Sequence, residues 1–285
     1  MRPSNYHPTN IGVYTLPGNP EAEDVAHKMM QFLEEKAVRT FLCTSRTDEC
    51  LRRQLDEGTV DLMIALGGDG TMLRAGHLCA PVGVPILGIM MGRLGFLMQV
   101  QRNEWPQMLE RLLKGEGWIE QRMMLRAEHL RGGEQIAKWQ ALNEVVVGRG
   151  MALRAVRVMA SVDGRPLTTF VCDGLIASTA TGSTAYALAA GGPILPPDLR
   201  NILLVPIAPH LSVDRAVVLA EGATVSIVVQ SENAVVSVDG QSPLSLDEDD
   251  RVDVRAAEYA ARFVRFGDPG YFYRNLNAHF NQPHL

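Results

Sequence analysis

The run Gly67-Gly68-Asp69-Gly70-Thr71 constrains this chain more than any other segment. It follows residues 62–66, an uninterrupted apolar stretch bounded by glycine that reads as a strand, and it leads into Met72 to Leu78, which reads as the start of a helix. A glycine-dense turn between strand and helix lets backbone N–H groups approach an anion closely, and the helix N-terminus favours negative charge there. An aspartate in such a turn repels a phosphate, so Asp69 makes chemical sense where it handles a proton or a metal ion beside that phosphate. The turn therefore points to phosphoryl transfer rather than to nucleotide holding alone. A plainer reading of the same five residues is a tight connection in which Asp69 caps the helix.

At 285 residues the chain exceeds one average domain, and two domains are expected. With 46% apolar and 21% charged residues it can bury a sizeable core, which excludes wholesale disorder. The formal net charge of −5 argues against a general nucleic-acid binder, which would show a basic face. No apolar run reaches membrane-spanning length, and the first ten residues are polar rather than signal-like, so a cytoplasmic protein is expected. Cys43, Cys50, Cys79 and Cys172 are scattered without C-x-x-C or zinc-site spacing and read as small buried hydrophobes in a reducing compartment. The histidines are equally dispersed, so no protein metal site is implied.

Residues 10–15 read as a first strand, ended by Leu16-Pro17-Gly18-Asn19-Pro20, and residues 21–35 as a helix with the apolar stripe Ala22, Val25, Ala26, Met29, Met30 and Leu33. A strand over 38–44, a helix over 49–57, the glycine turn and a strand over 86–90 continue the alternation, which argues for a parallel Rossmann-like sheet with right-handed crossovers. Such sheets bind ligands at the carboxyl ends of their strands, where Asp69 falls. After a helix over 105–113 the texture becomes strand-like, with segments at 142–147, 154–162, 216–219, 224–229, 234–238 and 251–255 and hairpin turns at Asp163-Gly164 and Asp239-Gly240. One helix, 184–190, interrupts. The expected organisation is an α/β domain over 1–116, an all-β sandwich over 117–265, and a tail over 266–285 that either packs back on the first domain or frays. The acidic run 247–250 reads as a solvated loop rather than a metal site.

The second half adds Leu142-Asn143-Glu144-Val145-Val146-Val147, then Asp173-Gly174-Leu175-Ile176-Ala177-Ser178-Thr179-Ala180-Thr181-Gly182-Ser183-Thr184-Ala185-Tyr186, then Gly191-Gly192-Pro193-Ile194. Together with the Asp69 turn, and in this order, these closely resemble the NAD kinase family from about residue 10 to residue 272. The glycine-Asp turn alone is shared with diacylglycerol, sphingosine and phosphofructo-kinases; the long second motif is far more specific. The resemblance implies an N-terminal α/β domain and a C-terminal β-sandwich with the nucleotide between them. It implies transfer of a phosphoryl group from ATP, or polyphosphate, to the 2′-hydroxyl of the adenosine ribose of NAD, with Mg²⁺, in a homodimer or homotetramer.

By the same resemblance Asp69 is the general base, and Gly68, Gly70, Thr71 and Arg74 belong to the nucleotide site. A ribose hydroxyl is a poor nucleophile at neutral pH, so a carboxylate placed to accept its proton helps by about 10²–10⁴-fold; the rest is positioning and charge neutralisation. Asn143 and Glu144 belong to the dinucleotide site, although consecutive residues of a regular strand face opposite ways, so irregular backbone is expected there. Asp173 matches a contact to the nicotinamide end, and Thr184, Ala185, Tyr186 and Ala189 lie on the helix that presents N–H donors and the tyrosine ring. Arg154, Ala208 and Gln241 match further contact positions. Ala180 stands where the family usually has proline. Val171 stands where NAD-preferring members often carry a polar side chain and some NADH-accepting ones glycine, so that preference stays open. Two other readings remain in view: a lipid kinase sharing the glycine turn, and a non-catalytic dinucleotide sensor.

Overall fold

The computed structural model describes residues 7–44, 48–92, 95–151, 154–210 and 214–280. The chain separates into two compact units, one built from the chain up to Gln121 together with the chain from Ala260 onward, the other from Arg122–Tyr259. The polypeptide thus leaves the first unit and comes back to it.

The first unit opens with β1 (Asn10–Thr15), α1 (Pro20–Glu34), β2 (Arg39–Thr44), α2 (Asp48–Asp56), β3 (Leu62–Gly67), α3 (Asp69–Cys79), β4 (Ile86–Met90), β5 (Val100–Gln101) and α4 (Trp105–Leu113). The strands pair in parallel in the order β2-β1-β3-β4. Helix α1 starts where the sequence dictates: Asn19 accepts a hydrogen bond from the Ala22 amide, Pro20 supplies a fixed φ without wasting a donor, and Glu21 and Glu23 sit at the positive end. Its buried face, Ala22, Val25, Ala26, Met29 and Leu33, packs with Ile11, Val13 and Ile64 of the sheet. Because β1 is flanked by β2 on one side and β3 on the other, the side on which successive strands are added reverses between β1 and β3. That reversal is where sheets of this kind open a ligand crevice.

The second unit takes β6 (Trp118–Arg131), β7 (Glu134–Ala141), β8 (Glu144–Arg149), β9 (Val156–Val162), β10 (Arg165–Cys172), β11 (Gly174–Ser178), α5 (Tyr186–Ala189), β12 (Asn201–Ile207), β13 (Val217–Ala220), β14 (Val225–Val229), β15 (Ala234–Val238), β16 (Leu244–Leu246) and β17 (Arg251–Arg265); β6 and β17 each begin in one unit and end in the other. One antiparallel sheet runs β13-β12-β11-β8-β15-β16, and β10, β9, β14 and β17 pair in a second. Their inner faces interleave in one core, with Val145, Val147, Leu175 and Val236 from the first sheet against Val158, Phe170, Ile227 and Val252 from the second. The outer face of the first sheet carries Ile176, Leu203 and Val205 under Ala180, Ala187 and Leu195.

Several expectations are corrected. The helix expected over 184–190 divides into a 3-10 turn, Gly182–Thr184, and the single turn α5, because Ala185 takes φ −103° and ψ −127°, outside the helical region. β17 continues to Arg265 rather than stopping at residue 255. β11 and β12 stand as separate strands that carry no alternating pattern, since all of β11 and the middle of β12 are buried on both faces. The acidic run 247–250 is not uniformly solvated: Asp250 is 1% exposed and bonds to His129 and Arg131. After β17 the chain adds α6 (Tyr271–Phe280), whose Tyr271 and Phe272 are buried. Of the cysteines, Cys43, Cys79 and Cys172 are buried; the side chain of Cys50 lies outside the described residues.

Candidate active site

The glycine turn sits at the carboxyl end of β3, and Asp69 is the first residue of α3. Asp69 does not cap its own helix. Its carboxylate reaches to the chain leaving the neighbouring strand β4, where the Phe96 amide donates to Oδ2 at 2.7 Å and the Leu97 amide to Oδ1 at 3.1 Å. The two strand exits are themselves joined by the Met91 amide donating to the Gly67 carbonyl at 2.8 Å. Each carboxylate oxygen thus has one lone pair fixed by backbone and others left for a ligand, while Asp69 stays partly open to solvent.

The glycines of the turn differ in purpose. A Cβ at Gly67 would come 2.1 Å from Thr71 Oγ1, so that residue must be glycine for Thr71, 3% exposed, to tuck beneath the turn. A Cβ at Gly68 or Gly70 would meet nothing within 4 Å, and the φ of Gly68, −121°, suits any residue. Neither packing nor backbone conformation demands glycine at those two positions. Their bare, exposed backbone leaves room for a close approach from outside. Arg74 is exposed one turn further along α3.

The second group of candidate residues gathers around the start of β8. Asn143 lies in the bend between β7 and β8, which is the irregular backbone its motif requires. Asp239, at the hairpin turn after β15, holds that bend: its carboxylate accepts from the amides of Leu142 at 2.7 Å, Asn143 at 3.0 Å and Glu144 at 2.8 Å. The Asn143 carbonyl accepts in turn from the Thr179 amide at 2.8 Å and the Ser178 hydroxyl at 3.1 Å. The Thr179 hydroxyl donates to the Leu142 carbonyl at 2.6 Å. Gly182 fits against the same place, since a Cβ there would lie 2.3 Å from the Asn143 carbonyl oxygen. Sequence-distant motifs are therefore one hydrogen-bonded construction.

Glu144 is the electrostatic centre of this group. It is 7% exposed and its Oε2 has no hydrogen-bond partner. Burial, and then the nearby Asp239 carboxylate, push its carboxyl up to about 8, against the pull of the Tyr186 amide donating to it. A buried carboxyl with an unused oxygen, beside the half-exposed ring of Tyr186, is an arrangement that waits for a polar ligand. Thr184, Ala185 and Ala189 line the short turns before and after Tyr186, and Gln241 follows the Asp239-Gly240 turn.

Asp173, Ala208 and Arg154 are not in this group. Asp173 precedes β11 and pairs with Arg149 at 3.3 Å, and its amide donates to Ile207 next to Ala208, which takes a positive φ of 44°. Since β8 and β11 pair with Ser178 opposite Glu144 and Gly174 opposite Gly148, these residues sit at the other end of the same strands, about 13 Å away at four residues' rise. Arg154 is exposed beyond the end of β8. Two contact groups separated along one sheet suit an elongated ligand better than a compact one. Sequence reasoning missed two contributors, the 95–97 backbone that holds Asp69 and the Asp239 carboxylate, which was read only as a turn. Among the described residues no three His, Cys, Asp or Glu side chains converge as a metal site, and no helix is long and apolar enough to cross a membrane.

Comparison with known proteins agrees with these motifs. The ATP-NAD kinase N-terminal domain matches residues 14–117, and the ATP-NAD kinase C-terminal domain matches residues 142–266. The NAD kinase of Chloroflexus aurantiacus is 45% identical over 219 residues, covering 76% of this chain and 79% of that protein. The NAD kinase of Heliobacterium modesticaldum is 40% identical over 269 residues, covering 92% and 95%. Among solved structures, yeast NADH kinase complexed with NADH shares the fold with a TM-score of 0.85 at 23% identity, covering 100% of this chain and 90% of that one. An NAD kinase from Archaeoglobus fulgidus in complex with ATP gives a TM-score of 0.75 at 25% identity, covering 96% and 100%. These likenesses leave the lipid-kinase and sensor readings without support. With both family domains matched in order and relatives alike over nearly the whole length, the chain belongs to the NAD kinase family.

Proposed function

We propose that this protein transfers the γ-phosphoryl group of ATP to the 2′-hydroxyl of the adenosine ribose of NAD, with Asp69 as general base. The observation that carries the reading is the placement of the Asp69 carboxylate. It is fixed by two amides beside exposed glycine backbone, with lone pairs left to accept a proton. In the reaction the ribose oxygen forms a bond to the γ-phosphorus, the bond from that phosphorus to the ADP oxygen breaks, and the hydroxyl proton passes to an Asp69 oxygen. The bare amides at Gly68 and Gly70 suit the phosphates, and Arg74 adds positive charge.

Glu144, Asn143 and Tyr186 are assigned to one part of the dinucleotide, with Thr184, Ala185, Ala189 and Gln241 around them. Asp173, Ala208 and Arg154 are assigned to its nicotinamide end, in keeping with the separation along β8 and β11. Mg²⁺ enters as part of the nucleotide substrate and supplies charge neutralisation at the phosphates. ATP as donor is supported by the ATP complex of the Archaeoglobus relative, and polyphosphate is the alternative donor to assay beside it. A cytoplasmic setting is supported by cysteine spacing that lacks the pattern of a disulfide framework, and a homodimer or homotetramer is the assembly to check by light scattering.

The test is formation of NADP from NAD, ATP and Mg²⁺, read by an enzyme that reduces only NADP. Asp69→Asn should lose turnover by about 10²–10⁴-fold while NAD binding by calorimetry persists. Full activity in that variant removes the general-base assignment.

A further inference from the structure

We propose that Arg265 is a positioning residue for the Asp69 carboxylate, acting through Leu97; the proposal rests on the reading of Asp69 as the base. The two amides that hold Asp69 belong to residues 95–97, which precede the start of β5 at Val100 and so lie outside the sheet ladder. Side chains anchor this stretch instead. Arg265 Nη1 donates to the Leu97 carbonyl at 2.8 Å. Gln99 clamps the backbone of Phe266, donating to its carbonyl at 2.7 Å and accepting from its amide at 2.9 Å. Leu97 therefore faces Asp69 with its N–H and Arg265 with its C=O. A displaced guanidinium frees the Leu97–Met98 peptide group, the next along the chain from the two whose N–H groups hold the carboxylate.

Stability alone does not account for this arginine. It is 0% exposed, and a buried ion pair is commonly no more stabilising than apolar side chains of similar size. Its Nη2 lacks a hydrogen-bond partner. What the surroundings do is aim the fork. Nε donates to Glu120 Oε2 at 2.8 Å, and the Tyr271 hydroxyl donates to the same carboxylate at 2.8 Å. The rings of Tyr271 and Phe263 lie 4.8 and 5.1 Å from the guanidinium carbon. With Nε committed to Glu120 and the plane set by the rings, Nη1 has one direction, toward Leu97. The first turn of α6 thereby takes part in placing a group at the far end of the fold's sequence.

The experiment measures kcat and KM for NAD in Arg265→Lys, alone and combined with Asp69→Asn, together with amide exchange at Phe96 and Leu97. Lysine keeps the charge opposite Glu120 but lacks the planar fork. Arg265→Lys should lower kcat by about 10²-fold with KM for NAD within about threefold, and should speed exchange at both amides. In the Asp69→Asn background the same change should cost less than about threefold, because the group it misplaces is already gone. An equal loss in both backgrounds, or unchanged exchange at Phe96 and Leu97, overturns the proposal. If Arg265→Lys fails to fold, Arg265→Met with Glu120→Gln removes both charges together and is read by the same amides and the same pair of backgrounds. Full turnover in Asp69→Asn alone would instead sink the base assignment, whereas the amide exchange reports on Arg265 whichever group accepts the proton.

Discussion

Glu144→Gln should make the protein less sensitive to rising pH, because Glu144 is buried beside a second carboxylate. In the folded protein the Glu144 carboxyl is pushed up to about 8, first by burial and second by the Asp239 carboxylate. In the unfolded chain it titrates near its ordinary value of about 4.3. Between these two values the folded state binds one proton more than the unfolded state, so stability falls as pH rises, with a slope of about 1.4 kcal/mol per pH unit. The favourable contribution is fully present below about pH 4 and gone above about pH 8. Two pH units, from 5 to 7, correspond to roughly 3 kcal/mol at full slope. Glutamine has nearly the same shape and cannot ionise. The assay is urea unfolding of both proteins in the same buffers, so that every other titrating group cancels in the difference. The variant's advantage should grow from pH 5 to pH 8 and then level. A difference that is flat across this range would mean that Glu144 is already ionised at pH 5, and the argument from burial and Asp239 would be refuted.

Asp239→Asn offers one acceptor oxygen where three amides now share two, and it brings an NH2 toward backbone donors. It should cost about 1–3 kcal/mol of stability, and by removing the neighbouring charge it should end the pH-dependent Glu144 contribution at a lower pH in the same unfolding series. Gly95→Ala places a Cβ 2.3–2.6 Å from the atoms of the Asp69 carboxylate. Turnover should fall by about 10²-fold with NAD affinity by calorimetry unchanged, and full activity would contradict the observed seat of Asp69.

Elements were legible where short apolar runs meet strong breakers. Strands at 10–15, 86–90 and 234–238 and the helix at 105–113 lie where the sequence places them. β11 and β12 were not, because Gly174–Ser178 and Asn201–Ile207 are apolar without alternation and a periodicity argument has nothing to grip. The break at Ala185 was hidden for another reason: an alanine in an apolar-periodic stretch gives no sign of a ψ near −127°. Asp69 was legible because a carboxylate in a glycine turn is chemically odd. Its partners were not, since Phe96 and Leu97 act through backbone N–H groups that almost every residue carries.

That blindness has one systematic exception. A backbone group that must lie close to another polar atom leaves a trace in sequence only as a glycine whose Cβ would occupy the space. Gly67, Gly95 and Gly182 are such residues. None has a positive φ, so conformational freedom does not explain them. An added Cβ would strike Thr71 at the first, the Asp69 carboxylate at the second and the Asn143 carbonyl at the third. Each of the three marks a place where a candidate site residue is wedged against neighbouring backbone. By the same test Gly68 and Gly70 differ, since their Cβ would meet only open space. Gly67, Gly95 and Gly182 thus pack against candidate site residues, whereas Gly68 and Gly70 leave open space beside Asp69.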